Sequence, residues 1–266
     1  MAKNMNCILY LVRSSNQDVE DFNKSLALVE QNLLPYTNST DVLVFVEPSF
    51  GEYKSKVQTN IKLKYETIEF KVPNYPQEIL NQIIEFFPHP THGNGPVEWG
   101  HPGFSIGYRH MCRFFSGELY TYSVLKNYDY YLRLDTDSYI HTPLLYNIFE
   151  WAKNNECYYG YISPAIQKDN LKVIEGLWDK VNEMIPENFI EEGMIFYTNF
   201  ELGKIDWFLT SEYMKFYNEL DQTGGFYTKR WGDAPIKFLG INLLMEPKHI
   251  IPVQGFTYQH GAIYKV

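Results

Sequence analysis

Cysteine is scarce in this chain. The 266 residues include three, Cys7, Cys112 and Cys157. They are widely spaced with no Cys-x-x-Cys, which argues against a disulfide framework or a structural zinc site and favours a reducing compartment. Long apolar runs are lacking too. Ile8-Leu9-Tyr10-Leu11-Val12 is too short to span a bilayer or form a signal core and is followed by Arg13, so it reads as a first core strand. The expectation is a soluble, cytoplasmic protein with no membrane segment. A glycosylation sequon at Asn38-Ser39-Thr40 has no meaning without a secretory route. Basic charge is also short: 23 Lys and Arg face 32 Asp and Glu, for a net charge of -9. No nucleic-acid partner is expected, because general binding needs a basic face that replaces phosphate counterions. Finally, no Gly-x-Gly-x-x-Gly follows the first strand, so the usual dinucleotide fingerprint is absent.

What is present is apolar and aromatic. Hydrophobic residues make up 45% and aromatics 17%, with 22 tyrosines, enough for a full core. Tyrosine suits sugar-binding clefts, although ordinary core packing explains it as well. Residues 7–12 and 41–46 read as strands flanking a helix over 18–34, with Val19, Phe22, Leu26, Val29 and Leu33 at helical spacing. This β-α-β order predicts a parallel, doubly wound α/β sheet with its ligand crevice beyond the carboxyl ends of the strands, placing Arg13 and Glu47 on the rim. Further elements are expected as a strand over 61–72, helices over 76–87 and 105–125, a helix capped by Thr210 or Ser211 and ended by Gly224-Gly225, and a strand-like run over 249–258. The Pro-, Gly- and His-rich stretch 87–103 reads as a loop, more a lid than a metal site built from His89, His92 and His101. With no repeat or linker, residues 1–266 read as one domain.

The chemistry centres on Asp135-Thr136-Asp137, at the end of the buried run Tyr130-Tyr131-Leu132-Arg133-Leu134. Two carboxylates two residues apart on a strand project to one side and can hold a divalent cation, which in turn can hold a diphosphate. An Asp-x-Asp is also a common turn. Arg109 and Arg113, four apart on a helix, suit phosphate oxygens or a surface salt bridge. Glu201 lies in an aromatic setting that can tune its pKa, or it is simply paired. Asp233 can cap a helix that opens with Ala234-Pro235.

Taken together, Tyr108-Arg109-His110-Met111-Cys112-Arg113-Phe114, Tyr128-Asp129-Tyr130-Tyr131-Leu132-Arg133, Asn199-Phe200-Glu201, Gly224-Gly225-Phe226-Tyr227 and Arg230-Trp231-Gly232-Asp233-Ala234-Pro235 resemble the fungal α-1,2-mannosyltransferases of glycosyltransferase family 15. The resemblance is strong over about 105–260 and faint before it. It implies a glycosyltransferase fold of the A type (GT-A), a Rossmann-like mixed sheet flanked by helices. The donor-nucleotide half would be about 1–140 and the acceptor half about 141–266. It also implies GDP-mannose as donor, a glycan or glycoprotein acceptor, Mn²⁺ (or Mg²⁺) and retention of anomeric configuration. Asp137 and His260 fall at metal-ligand positions, with Asp135 supporting the metal shell or the donor. Glu201 falls at the catalytic carboxylate and Asp233 at a second catalytic position. Tyr108 falls at an active-site position and, with Arg13, Arg109 and Arg113, would contact the donor; Trp231 would contact the acceptor.

The chain departs from the family pattern in places. Asp135-Thr136-Asp137 stands where the family has Glu-Pro-Asp, and the family's membrane anchor and lumenal targeting are missing. An enzyme of a large virus or a microbe acting in the cytoplasm fits this pattern. A UDP-sugar transferase of the same fold and a non-catalytic carbohydrate-binding protein are the alternatives.

Overall fold

The computed structural model describes residues 5–88, 104–162, 167–186 and 190–266. The expected lid, with His89, His92 and His101, lies largely outside these residues. The chain opens with β1 (Asn6–Val12), α1 (Asn16–Asn32), β2 (Thr40–Val46), β3 (Leu63–Thr67), α2 (Gln77–Phe86) and α3 (Ile106–Ser116). It continues with β4 (Tyr130–Leu134), β5 (Tyr139–Ile140), α4 (Ile148–Asn154), β6 (Tyr159–Ile162), β7 (Gln167–Lys168), α5 (Leu177–Met184), β8 (Met194–Ile195) and β9 (Phe200–Lys204). It closes with α6 (Ile205–Phe208), α7 (Ser211–Asp221), α8 (Gly225–Thr228), α9 (Asp233–Leu244), β10 (Ile250–Val253), β11 (Thr257–His260) and β12 (Ala262–Lys265).

Seven strands form the main sheet in the order β10-β6-β9-β4-β1-β2-β3. The β1-α1-β2 unit is parallel, as its pattern predicts, and β4 joins β1 in parallel on the other side. The sheet as a whole is mixed, because β9 runs antiparallel to both β4 and β6. Alternation along β1 splits its side chains between two layers. Ile8, Tyr10 and Val12 pack under α1 and α4, while Cys7 and Leu9 pack against α3, α6, α7 and α9. A second, three-stranded sheet, β12-β11-β5, brings the end of the chain back beside the loop that follows β4.

Several boundaries differ from the sequence pattern. The helix expected over 105–125 stops at Ser116 and gives way to two 3-10 turns, Glu118–Thr121 and Ser123–Asn127. Gly117 terminates it, and a Cβ there would overlap the Tyr217 ring at 2.2 Å. The strand expected over 61–72 is confined to Leu63–Thr67. Asp233 is the first residue of α9 and not its cap, a position held by Gly232.

Candidate active site

A cavity of ≈ 380 Å³ opens at the carboxyl ends of β1, β2 and β4 and is walled on one side by α3. Its lining includes Arg13, Glu47, Phe70, Tyr108, Asp135 and Asp137. Two strand ends and one turn therefore deliver the polar groups that the sequence placed on this rim, where open α/β sheets bind ligands.

Asp135-Thr136-Asp137 is a turn after β4, closed by Ser138 N–H donating to Asp135 O at 3.0 Å. Strand alternation therefore does not govern this turn, yet both carboxylates line the cavity. Asp137 Oδ1 lies 3.1 Å from His260 Nε2, contributed by β11. His260 Nδ1 lies 3.0 Å from the Tyr197 hydroxyl, which fixes the ring. The bond to His260 holds the Asp137 carboxyl below its usual range. Burial works against the His260 imidazolium, but the bond to Asp137 and the nearby Asp135 charge prevail and raise it.

Asp135, beside them, is held by Arg133. The Arg133 guanidinium is fully buried, lies 3.5 Å from the Phe115 ring centroid, and bridges Asp135 at 3.1 Å and Asp233 at 2.5 Å. Asp233 also accepts a 2.8 Å bond from Thr198 Oγ1. Burial raises the Asp135 carboxyl against the opposing pull of Arg133, and the Arg133 contact outweighs burial at Asp233, whose carboxyl is lowered. The expected three-ligand metal set is thus only partly gathered. Among the described residues no three carboxylate, imidazole or thiol groups converge enough to hold a metal by themselves. The Asp137–His260 pair does fit one. Ligand atoms at right angles around an octahedral cation of bond length ~2.1 Å lie about 3 Å apart, as these two do, and diphosphate and water oxygens would complete the shell.

Other expected site residues lie elsewhere. Glu201 pairs in register with Arg133 but has no exposure. It accepts hydrogen bonds from Tyr131 and Tyr159 and an ion pair from Lys237 Nζ at 2.8 Å, and it is absent from the cavity lining. The structure thus encloses this carboxylate behind the cavity, whereas the sequence reading set it near the anomeric carbon. Arg113 forks onto Asp221 at 2.8 and 2.9 Å and reaches Glu118 at 2.7 Å, which leaves it a structural ion pair instead of a phosphate ligand. Arg109 is buried among aromatic rings, Phe87 at 6.0 Å and Tyr108 at 5.7 Å, and does not line the cavity. Trp231 is core. It is 4% exposed, its indole N–H donates to Glu175 O, and it packs over Gly225. Asp233 is buried behind Arg133 and outside the lining. Arg13 is on the rim, ion-paired with Asp18 at 2.8 Å, and Tyr108 is in the wall. The neighbouring Cys112 thiol and burial raise the Tyr108 phenol, which keeps it protonated.

Sequence reasoning passed over Arg133 and Lys237. Each carried a signal: Arg133 is the one charge within the run Tyr130–Leu134, and Lys237 is the one charge besides Asp233 in the apolar segment Asp233–Leu244.

The family model described as glycolipid 2-alpha-mannosyltransferase matches residues 1–266. The chain belongs to this family. It is 28% identical to the probable mannosyltransferase MNT3 of Candida albicans over 85% of its own length and 70% of that protein. It is also 28% identical to the probable mannosyltransferase KTR3 of Saccharomyces cerevisiae, over 92% of its length and 64% of that protein. Among solved structures, the Mn/GDP form of core-mannan synthase A (CmsA/Ktr4) from Aspergillus fumigatus superposes with a TM-score of 0.79 at 21% identity, covering 98% of this chain and 75% of that one. Ktr4p from S. cerevisiae in complex with GDP gives 0.78 at 24% identity over 98% and 72%. The fold of this family member is that of the GT-A glycosyltransferases.

Proposed function

We propose that this family member transfers mannose from GDP-mannose to a hydroxyl of a glycan or glycoprotein, with retention of configuration and an α-1,2 linkage. Residues 1–266 act as one catalytic domain. The observation that carries the reading is the Asp137–His260 pair, set at the mouth of a cavity in a chain of this family. Asp137 and His260 would hold Mn²⁺, with Asp135 poised beside them, a mixed carboxylate and imidazole set that suits this ion or Mg²⁺. When bound, the metal supplies Lewis-acid neutralisation of the leaving diphosphate.

This chain's own groups do the rest. Arg13 adds positive charge on the diphosphate side. Tyr108 offers the donor its ring in the cavity wall, its hydroxyl being bonded to the buried Cys112 thiol. Arg133 fixes Asp135 from behind. No helix among the described residues is long and apolar enough to cross a membrane. The three free thiols, all buried, support the proposal that the protein works in a reducing, cytoplasmic setting.

The test is thermal stability with GDP- and UDP-sugars, in Mn²⁺ or in EDTA, since a ligand of the folded state raises apparent stability. Stabilisation by GDP-mannose that needs Mn²⁺ and is lost in Asp137→Asn is expected. A response to UDP-sugars alone would overturn the donor, and silence toward every nucleotide sugar would favour the carbohydrate-binding alternative.

A further inference from the structure

Glu47 has no role in the site described so far. It ends β2 in the parallel register that pairs Val12 with Val46, so it stands beside Arg13 on the rim. It lines the cavity and is half-buried, and burial alone raises its carboxyl above the usual range. Among the described residues its carboxylate has no hydrogen bond or ion pair, and it does not cap the 3-10 turn it precedes. The nearby Asp18, by contrast, is engaged by Arg13 and Ser15.

Position and surroundings narrow what Glu47 meets. Along the sheet β4, β1 and β2 are consecutive, and strands lie about 4.8 Å apart. Glu47 is therefore roughly 10 Å from the strand that carries the acidic turn. A second anion would repel the diphosphate if it faced it, but at this separation the ribose intervenes and the base is what arrives. Apolar lining follows on that side in Leu11 of β1 and in Phe70, which comes after β3, whereas Met111 lies beside Arg133. Phe70 is held by a stacked His110 at 5.4 Å and an edge contact to Phe114 at 5.8 Å. A flat, neutral ring with hydrogen-bond donors fits such a cleft, and guanine presents two adjacent donors, N1–H and the N2 amino group, to one carboxylate. A uracil edge offers a single N–H between two carbonyls, so one of the carboxylate oxygens would face an acceptor.

We infer that Glu47 is the specificity-determining residue of the donor site, reading guanine through a two-pronged hydrogen bond to N1–H and the N2 amino group. The inference rests on the nucleotide-donor reading above. Its test is calorimetric titration, in Mn²⁺, of the wild-type protein, Glu47→Gln and Glu47→Ala with three probes: GDP, inosine diphosphate (which lacks the amino group) and 2′-deoxy-GDP. Melting curves confirm that each variant is folded.

Wild type should prefer GDP over inosine diphosphate by roughly tenfold or more, the worth of a charge-assisted hydrogen bond. That preference should collapse to near unity in Glu47→Ala, and the 2′-deoxy penalty should stay unchanged. Glu47→Gln, which turns one acceptor into a donor facing N1–H, should also bind GDP more weakly. A folded Glu47→Ala that keeps its preference for GDP over inosine diphosphate overturns the assignment while leaving the donor reading intact. Loss of the 2′-deoxy penalty instead would assign Glu47 to the ribose and overturn it as well. No Mn²⁺-dependent GDP binding by wild type would overturn the donor reading itself, and this assignment with it.

Discussion

Substituting Lys237 by Met strands the Glu201 carboxylate in the core. Both side chains have no exposure and their charges meet at 2.8 Å. The variant keeps the Tyr131 and Tyr159 hydroxyls on Glu201 but removes the counter-charge, and breaking a buried pair from one side costs about 3–5 kcal/mol. Glu201→Gln should cost less, about 2–3 kcal/mol. Lys237 can shed its proton, since burial already lowers its pKa, and the amide keeps part of the tyrosine network. Removing both charges in Glu201→Gln/Lys237→Met should cost well under the sum, leaving a coupling of at least ~2 kcal/mol. Urea midpoints of the four proteins, followed by tryptophan fluorescence, measure it; additive single costs would refute the pairing. The same double variant separates structure from chemistry. As an enclosed residue outside the cavity, Glu201 should leave the turnover of the folded double variant within roughly tenfold of wild type. A folded double variant slowed by about a thousandfold or more would return Glu201 to the reacting centre.

Three further outcomes follow from the packing. Burial, aided by the Arg113 charge, depresses His110 from 6.5 to about 4. The unfolded chain therefore takes up this proton first: its stability contribution is complete above pH 6.5 and is lost as pH falls toward 4. The loss is on the order of 3 kcal/mol, and His110→Gln should flatten that part of the stability–pH curve; an identical slope in the variant would sink the assignment. Gly203→Ala places a Cβ 2.3 Å from the Tyr131 ring and should lower stability by about 1–3 kcal/mol, and an unchanged urea midpoint would contradict the close approach. Cys7, Cys112 and Cys157 are buried, with Cys112 and Cys157 pushed up to about 12. An aromatic disulfide reagent should therefore titrate three thiols only after unfolding, and prompt reaction in the folded state would argue against this burial.

Much of the architecture was legible because its signals are local. The periodic run Val19, Phe22, Leu26, Val29 and Leu33 marks α1, which the structure caps with Ser15, and the aliphatic runs at 7–12 and 41–46 mark a parallel pair. The helix end at Ser116 was not legible, because it depends on Tyr217 occupying the space over Gly117. Gly224 reads as a helix stop and is left-handed in the structure, but α7 already ends at Asp221. The site divides in the same way. Asp137 and His260 were paired by family resemblance, and their 3.1 Å contact spans residues no local pattern connects.

The sequence by itself determined the class of fold, the rim that carries Arg13, Glu47 and Asp135-Thr136-Asp137, and the family, because periodicity, strand ends and long rare strings survive without coordinates. Tertiary structure alone decided which charges face the cavity. Glu201, Asp233 and Arg113 look like site residues in the chain, but burial makes an unpaired charge so costly that each is taken up in an ion pair, while Arg109 lies in the interior beside aromatic rings. Which partner claims a charge depends on strands and helices meeting across a hundred residues.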